Sequence, residues 1–173
     1  MNWLPLAGRL AHEVVRPEDP WHSAVAEVPR HTFVHRWWEQ SDSGAWVLRD
    51  GPSDPGAWLE AAYSNRTLVT RVDACHADNA TPGDVVPDAV PTSSSTLPGL
   101  VVQMYRHAMI GDGNDVLVTT GTGYGTALAC ARLGSEHVTS VDVDKELVKL
   151  ATERLAEIGE SPQVEVCDLT GDL

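Results

Sequence analysis

Asp115-Val116-Leu117-Val118-Thr119-Thr120-Gly121-Thr122-Gly123-Tyr124-Gly125 is the stretch on which the fold turns. An aliphatic run that ends in closely spaced glycines is the pattern of a buried strand entering a tight turn. The spacing then predicts a helix over 126–133 stopped by Gly134, and a second strand over 137–142. A second amphipathic helix follows over 145–158, with Leu147, Leu150, Leu155 and Ile158 apolar, and a third strand over 163–168. Strand, helix, strand, helix, strand specifies a parallel sheet with right-handed crossovers.

Ligands of open α/β sheets bind beyond the carboxyl ends of the strands. There a glycine turn admits them to the backbone and a helix N-terminus adds oriented N–H groups. Those ends are residues 119–123, Asp142 and Asp168. Asp142 follows Gly121 by 21 positions, and a carboxylate there can accept both hydroxyls of an adenosine ribose. Asp168 is placed to accept from the exocyclic amine of adenine. The three ends together predict a nucleoside cofactor. A dinucleotide fingerprint fails, because the third glycine position counted from Gly121 holds Thr126.

Working upstream, Leu97-Pro98-Gly99-Leu100-Val101-Val102-Gln103-Met104 has helical spacing, with Thr96 as a candidate N-cap and Pro98 in the first turn. Residues 73–95, rich in proline, glycine, acids and serine, read as a linker. It separates a region over 1–72 from the parallel-sheet region over 96–173. All six tryptophans and the single phenylalanine, Phe33, lie in the first 58 residues, which predicts two layers with separately built cores. In the first layer we expect a helix over 4–15 ended by Arg16-Pro17, and a strand over 68–72. Asp50-Gly51-Pro52 and Asp54-Pro55-Gly56 are turn signals. The aromatic and basic stretch 29–38 reads as a packing anchor with its arginines and histidines at the rim, rather than as a stacking platform for a substrate.

The 173 residues carry 12 Lys+Arg against 25 Asp+Glu, a net charge of −13. Such a field repels phosphate backbones and anionic lipid, so nucleic acid and membrane are not expected partners. No apolar run reaches the roughly 20 residues of a membrane span, and the N-terminus has no secretory pattern. Three scattered cysteines, Cys75, Cys130 and Cys167, suit small buried residues in a reducing cytoplasm and no metal site.

The sequence resembles the protein-L-isoaspartate O-methyltransferase family, especially its actinobacterial methyltransferase-like branch. The resemblance rests on Ser93-Ser94-Ser95-Thr96-Leu97-Pro98-Gly99-Leu100-Val101-Val102-Gln103-Met104, on 115–128, and on Val138-Thr139-Ser140-Val141-Asp142-Val143-Asp144. It implies an α/β fold: an incomplete Rossmann-like methyltransferase sheet behind an aromatic-rich N-terminal α+β region. It also implies S-adenosyl-L-methionine as cofactor, held by Thr120, Gly121, Thr122, Gly123, Tyr124, Asp142 and Asp168. The substrate it implies is a peptide or protein bearing aspartyl or isoaspartyl carboxylate, assisted by the hydroxyl of Thr96.

Two departures from the family pattern stand out. The resemblance puts an acid at 117 and a glycine at 119, where this chain has Leu117 and Thr119. Leucine cannot replace the acid's hydrogen bonding, which implies weakened cofactor affinity. The chain also ends after its third strand, so a truncated methyltransferase is expected, with the strand over 116–118 left as an open edge prone to self-association. The competing expectation is a noncatalytic remnant or peptide-binding accessory module.

Overall fold

The structure is a computed structural model that describes residues 2–171. The parallel unit follows the sequence closely. Strands β7 (Val116–Thr119), β8 (Val138–Asp142) and β9 (Gln163–Val166) form a parallel sheet in that order. Val116 is in register with Val138, and Thr139 with Gln163. Helices α5 (Tyr124–Leu133) and α6 (Lys145–Glu157) make the crossovers. The second helix begins where the Asp144 carboxylate accepts the N–H of Glu146, satisfying an orphan donor of the first turn. Among the described residues β7 pairs only with β8, and Leu117 on it is 56% exposed.

The first half holds more regular structure than its composition suggests. Helices α1 (Leu4–Val14), α2 (Trp21–Glu27) and α3 (Pro55–Ala62) accompany an antiparallel sheet of six strands. These are β1 (Arg36–Gln40), β2 (Trp46–Asp50), β3 (Leu68–Val72), β4 (Cys75–His76), β5 (Val85–Val86) and β6 (Pro91–Ser95). Two corrections follow. Asp54-Pro55-Gly56 is a helix start, not a free turn: the Asp54 carboxylate accepts the Ala57 N–H at 3.1 Å and Pro55 fills the first position. The stretch 73–95 is not a bare linker, since β4, β5 and β6 lie in it and β6 runs antiparallel along β3. Its prolines and glycines mark the turns between short strands.

The expectation of separately built cores also fails. One cluster joins Leu10, Trp21, Val25, Phe33 and Trp58 of the first half to Val102, Tyr124, Leu128 and Leu155 of the second. The Phe33 and Tyr124 rings lie 6.1 Å apart, and Trp21 meets Tyr105 at 5.0 Å. Trp21, Trp37 and Trp58 belong to this joint cluster, whereas Trp38 and Trp46 pack in a smaller cluster with Leu48, Val72 and Ala77 of the first half. Ion pairs Arg71–Asp144 and Arg154–Asp78 also join the two halves.

Phe33, Trp37 and Trp38 are buried, as a packing anchor requires, but Arg30 is not at the rim: it is 0% exposed. Of the cysteines, Cys130 is buried and its thiol is pushed up to about 12 by desolvation, whereas Cys75 is exposed; all three are free. No helix among the described residues is long and apolar enough to cross a membrane.

Candidate active site

Strand β6 delivers the cleft wall. Its pairing with β3, Leu68 opposite Ser95 and Val69 opposite Ser94, carries residues 94–96 to the carboxyl end of β7. Helix α4 (Pro98–His107) starts immediately afterwards, with Leu97 as its N-cap and no side chain capping it. Thr96 is therefore not the cap. Between this wall, α4 and the glycine turn lies a cleft of about 460 Å³. That volume lies in the range of small-molecule sites.

Six predicted residues come together there: Thr96, Thr120, Gly121, Thr122, Tyr124 and Asp142 all line the cleft. Asp142 ties the two strand ends to each other. One carboxylate oxygen accepts the Gly121 N–H at 3.0 Å, and the other accepts the Asp144 N–H at 3.0 Å. A carboxylate has about four acceptor positions, so capacity remains for a diol. Gly121 has φ +50°, and a Cβ there would meet only the Ser94 carbonyl oxygen, at 3.9 Å. Its missing side chain leaves room on the cleft side.

Thr120 is fastened from behind. Its hydroxyl and that of Thr126 each lie 2.8 Å from the Ser140 hydroxyl, in a buried chain of three. This network explains the threonine at 126, where a dinucleotide-binding turn needs a small apolar residue. Tyr124 contributes mainly packing. Its side chain is buried against Phe33 and beneath the Arg30 guanidinium, and desolvation pushes the phenol up to about 12.

Two predicted residues lie elsewhere. Gly123 serves packing and turn geometry: φ is +93°, and a Cβ would meet Ala151 Cβ at 3.1 Å and Phe33 at 3.3 Å. Asp168 lies beyond the end of β9, exposed and outside the cleft. Its carboxylate accepts the hydroxyl and the N–H of Thr170, at 2.6 and 2.9 Å, which holds its carboxyl below the usual range. The strand stops at Val166, so the acid at 168 belongs to a local turn.

The sequence predicts a helix after Thr96 but assigns none of its side chains to the site; α4 supplies Val101, Met104 and Tyr105 to the cleft, and its C-cap supplies Ala108. Their spacing of i, i+3, i+4 and i+7 is one helix face, and it was the available signal. Leu117 and Thr119 also line the cleft. The spare acceptor positions of Asp142 and the open backbone at Gly121 suit a diol better than Leu117 suits a charged group.

The fold is similar to that of a solved protein-L-isoaspartate O-methyltransferase, with a TM-score of 0.59 at 20% sequence identity. The alignment covers 95% of this chain and 41% of that one, so the chain spans about two-fifths of that relative's length. No protein-family model and no curated protein matches the sequence. At this identity the likeness is one of fold, and function rests on the site.

Proposed function

We propose that the chain carries the cofactor-binding part of an S-adenosylmethionine-dependent O-methyltransferase of the protein-L-isoaspartate type. Its substrate is a peptide or protein carboxylate, aspartyl or isoaspartyl. When bound, the cofactor supplies an electrophilic methyl group. The chain's own residues supply placement and a drier environment for a carboxylate oxygen, which is most of what such a reaction needs. Asp142 accepts the ribose hydroxyls, the bare backbone at Gly121 lets the nucleoside approach, and the Thr96 hydroxyl orients the substrate carboxylate from the opposite wall.

The observation that carries this reading is the meeting of Thr96, Gly121 and Asp142 on one cleft, from three distant points of the sequence. Calorimetric titration with S-adenosylhomocysteine tests it. One-to-one binding that is lost in Asp142→Ala supports the reading; no binding at millimolar ligand removes it.

A noncatalytic, peptide-binding module is the second reading. It is favoured by Leu117 and Thr119 in the cleft and by Asp168 lying outside it. Silence toward both S-adenosylhomocysteine and NAD, with binding of an aspartyl peptide retained, selects it.

A further inference from the structure

Arg30 is the one fully buried cation of the chain's described residues, and its surroundings are unusual for a charge. No carboxylate among the described residues pairs with it. Its guanidinium instead donates to five backbone carbonyls drawn from two separate segments. One Nη donates to Ala62 at 3.0 Å and Ser64 at 2.9 Å. The other donates to Arg66 at 2.9 Å, Ser95 at 3.2 Å and Thr96 at 3.3 Å. Its Cζ lies 5.4 Å from the centre of the Tyr124 ring.

These contacts have a common geometry. Residues 62–66 run from the end of α3, and residues 95–96 run from the end of β6 toward α4. Two further side chains join the same pair of segments: the Leu97 N–H donates to the Thr67 hydroxyl at 3.2 Å, and the Gly99 N–H donates to the Asn65 carbonyl at 2.9 Å. Arginine suits the central position because its two Nη groups present four N–H donors in one plane, whereas lysine offers one point charge; the Arg30 Nε is buried without a partner. Burial lowers the Arg30 pKa to about 10, so the group stays charged at neutral pH.

We propose that Arg30 is the positioning residue of the cleft, fixing Thr96 through the Ser95 and Thr96 carbonyls and lending an unneutralised positive charge that favours a carboxylate ligand there. The carboxylate specificity rests on the function proposed above; the positioning role does not. Burying a charge without a counter-ion is costly, and it is tolerated here by many carbonyl dipoles. A carboxylate arriving at Thr96 completes the compensation.

Two variants test this. Arg30→Lys keeps the charge and loses the fork, and Arg30→Gln keeps two donors and loses the charge. Hydrogen exchange at the Leu97 and Gly99 amides reads the positioning directly. We expect exchange at least tenfold faster in both variants, with the β7, β8 and β9 amides unchanged. Unchanged protection at 97 and 99 in either folded variant overturns the positioning role.

Steady-state methylation of an aspartyl peptide reads the charge. In Arg30→Gln, KM for the peptide should rise about tenfold more than in Arg30→Lys, while S-adenosylhomocysteine affinity stays within twofold. Equal KM in the two variants overturns the electrostatic part. If the unaltered protein neither binds S-adenosylhomocysteine nor methylates the peptide, the proposed function fails while the exchange result still decides the role of Arg30.

Discussion

The Asp142 carboxylate accepts the backbone N–H of Gly121 at 3.0 Å, binding the end of the second parallel strand to the glycine turn that follows the first. A residue expected from sequence to contact a ligand is therefore a brace between two strand ends that line the cleft. Its other oxygen receives the Asp144 N–H, at the start of α6. Asp142→Asn removes one of these acceptors, because an amide has a single carbonyl oxygen. The expected loss is about 1.5–3 kcal/mol of stability, the range for hydrogen bonds to a charged group. Urea unfolding measures it, and S-adenosylhomocysteine affinity should fall at least tenfold in the same variant.

Gly121 and Gly123 both have positive φ, yet their surroundings predict opposite outcomes for an added methyl group. Gly123→Ala pushes a Cβ against Ala151 at 3.1 Å and Phe33 at 3.3 Å, inside the seam between the two halves. A loss of roughly 2–4 kcal/mol is expected from combined backbone strain and overpacking. Gly121→Ala meets only a carbonyl at 3.9 Å, so about 1 kcal/mol of backbone strain is the main cost. It places the methyl group in the cleft, and ligand affinity should fall while the protein remains folded. Thermal unfolding and calorimetry on the pair separate packing from binding.

The parallel unit was legible in the sequence because each strand and helix carried its own period, and each helix ended at a glycine. The first half was harder to read for physical reasons. The two-residue strands β4 and β5 are too short to show alternation, and β5 and β6 are set by pairing with β2 and β3, far away in sequence. Asp54-Pro55 signals a turn and a helix start equally well, and only the bond to the Ala57 N–H decides between them. Motif position picks out Thr96, Gly121 and Asp142, which the fold brings to one cleft. Asp168 was misplaced because the sequence does not show that β9 stops at Val166. The role of Arg30 had no local signal at all, since its partners lie 32 to 66 residues away.

Burial lowers the pKa of His31, His35 and His76 below the usual histidine value. His76 is the clearest case, being 4% exposed with its Nδ1 accepting the Asp78 N–H. Asp78 and Glu146 oppose the shift, whereas Arg154 and Arg71 reinforce it. A depressed folded-state pKa means that the unfolded chain binds a proton first as pH falls. Stability conferred by the neutral histidine is thus fully present above about pH 6.5 and is lost as pH drops toward the folded-state value. Each such group contributes a slope of at most about 1.4 kcal/mol per pH unit in that window. His76→Asn, whose amide oxygen can accept the Asp78 N–H, should flatten the dependence of urea midpoint on pH between 7 and 5. An unaltered slope would assign it to other groups.

Leu117 offers a test that gains function instead of losing it. The residue is 56% exposed, lies on the β7 edge that has no second partner among the described residues, and lines the cleft. Exposed Leu100, Met104 and Met109 add apolar surface. An unpaired apolar strand edge favours association, so the 173-residue chain should show concentration-dependent oligomers in light scattering. Leu117→Glu places a carboxylate on that edge and also where the family resemblance expects an acid to engage the cofactor. Weaker self-association is expected, together with S-adenosylhomocysteine affinity raised about tenfold, equivalent to ~1.4 kcal/mol. A change in association alone would mark position 117 as an edge residue with no part in binding. Tighter binding would identify it as the lost half of the cofactor site.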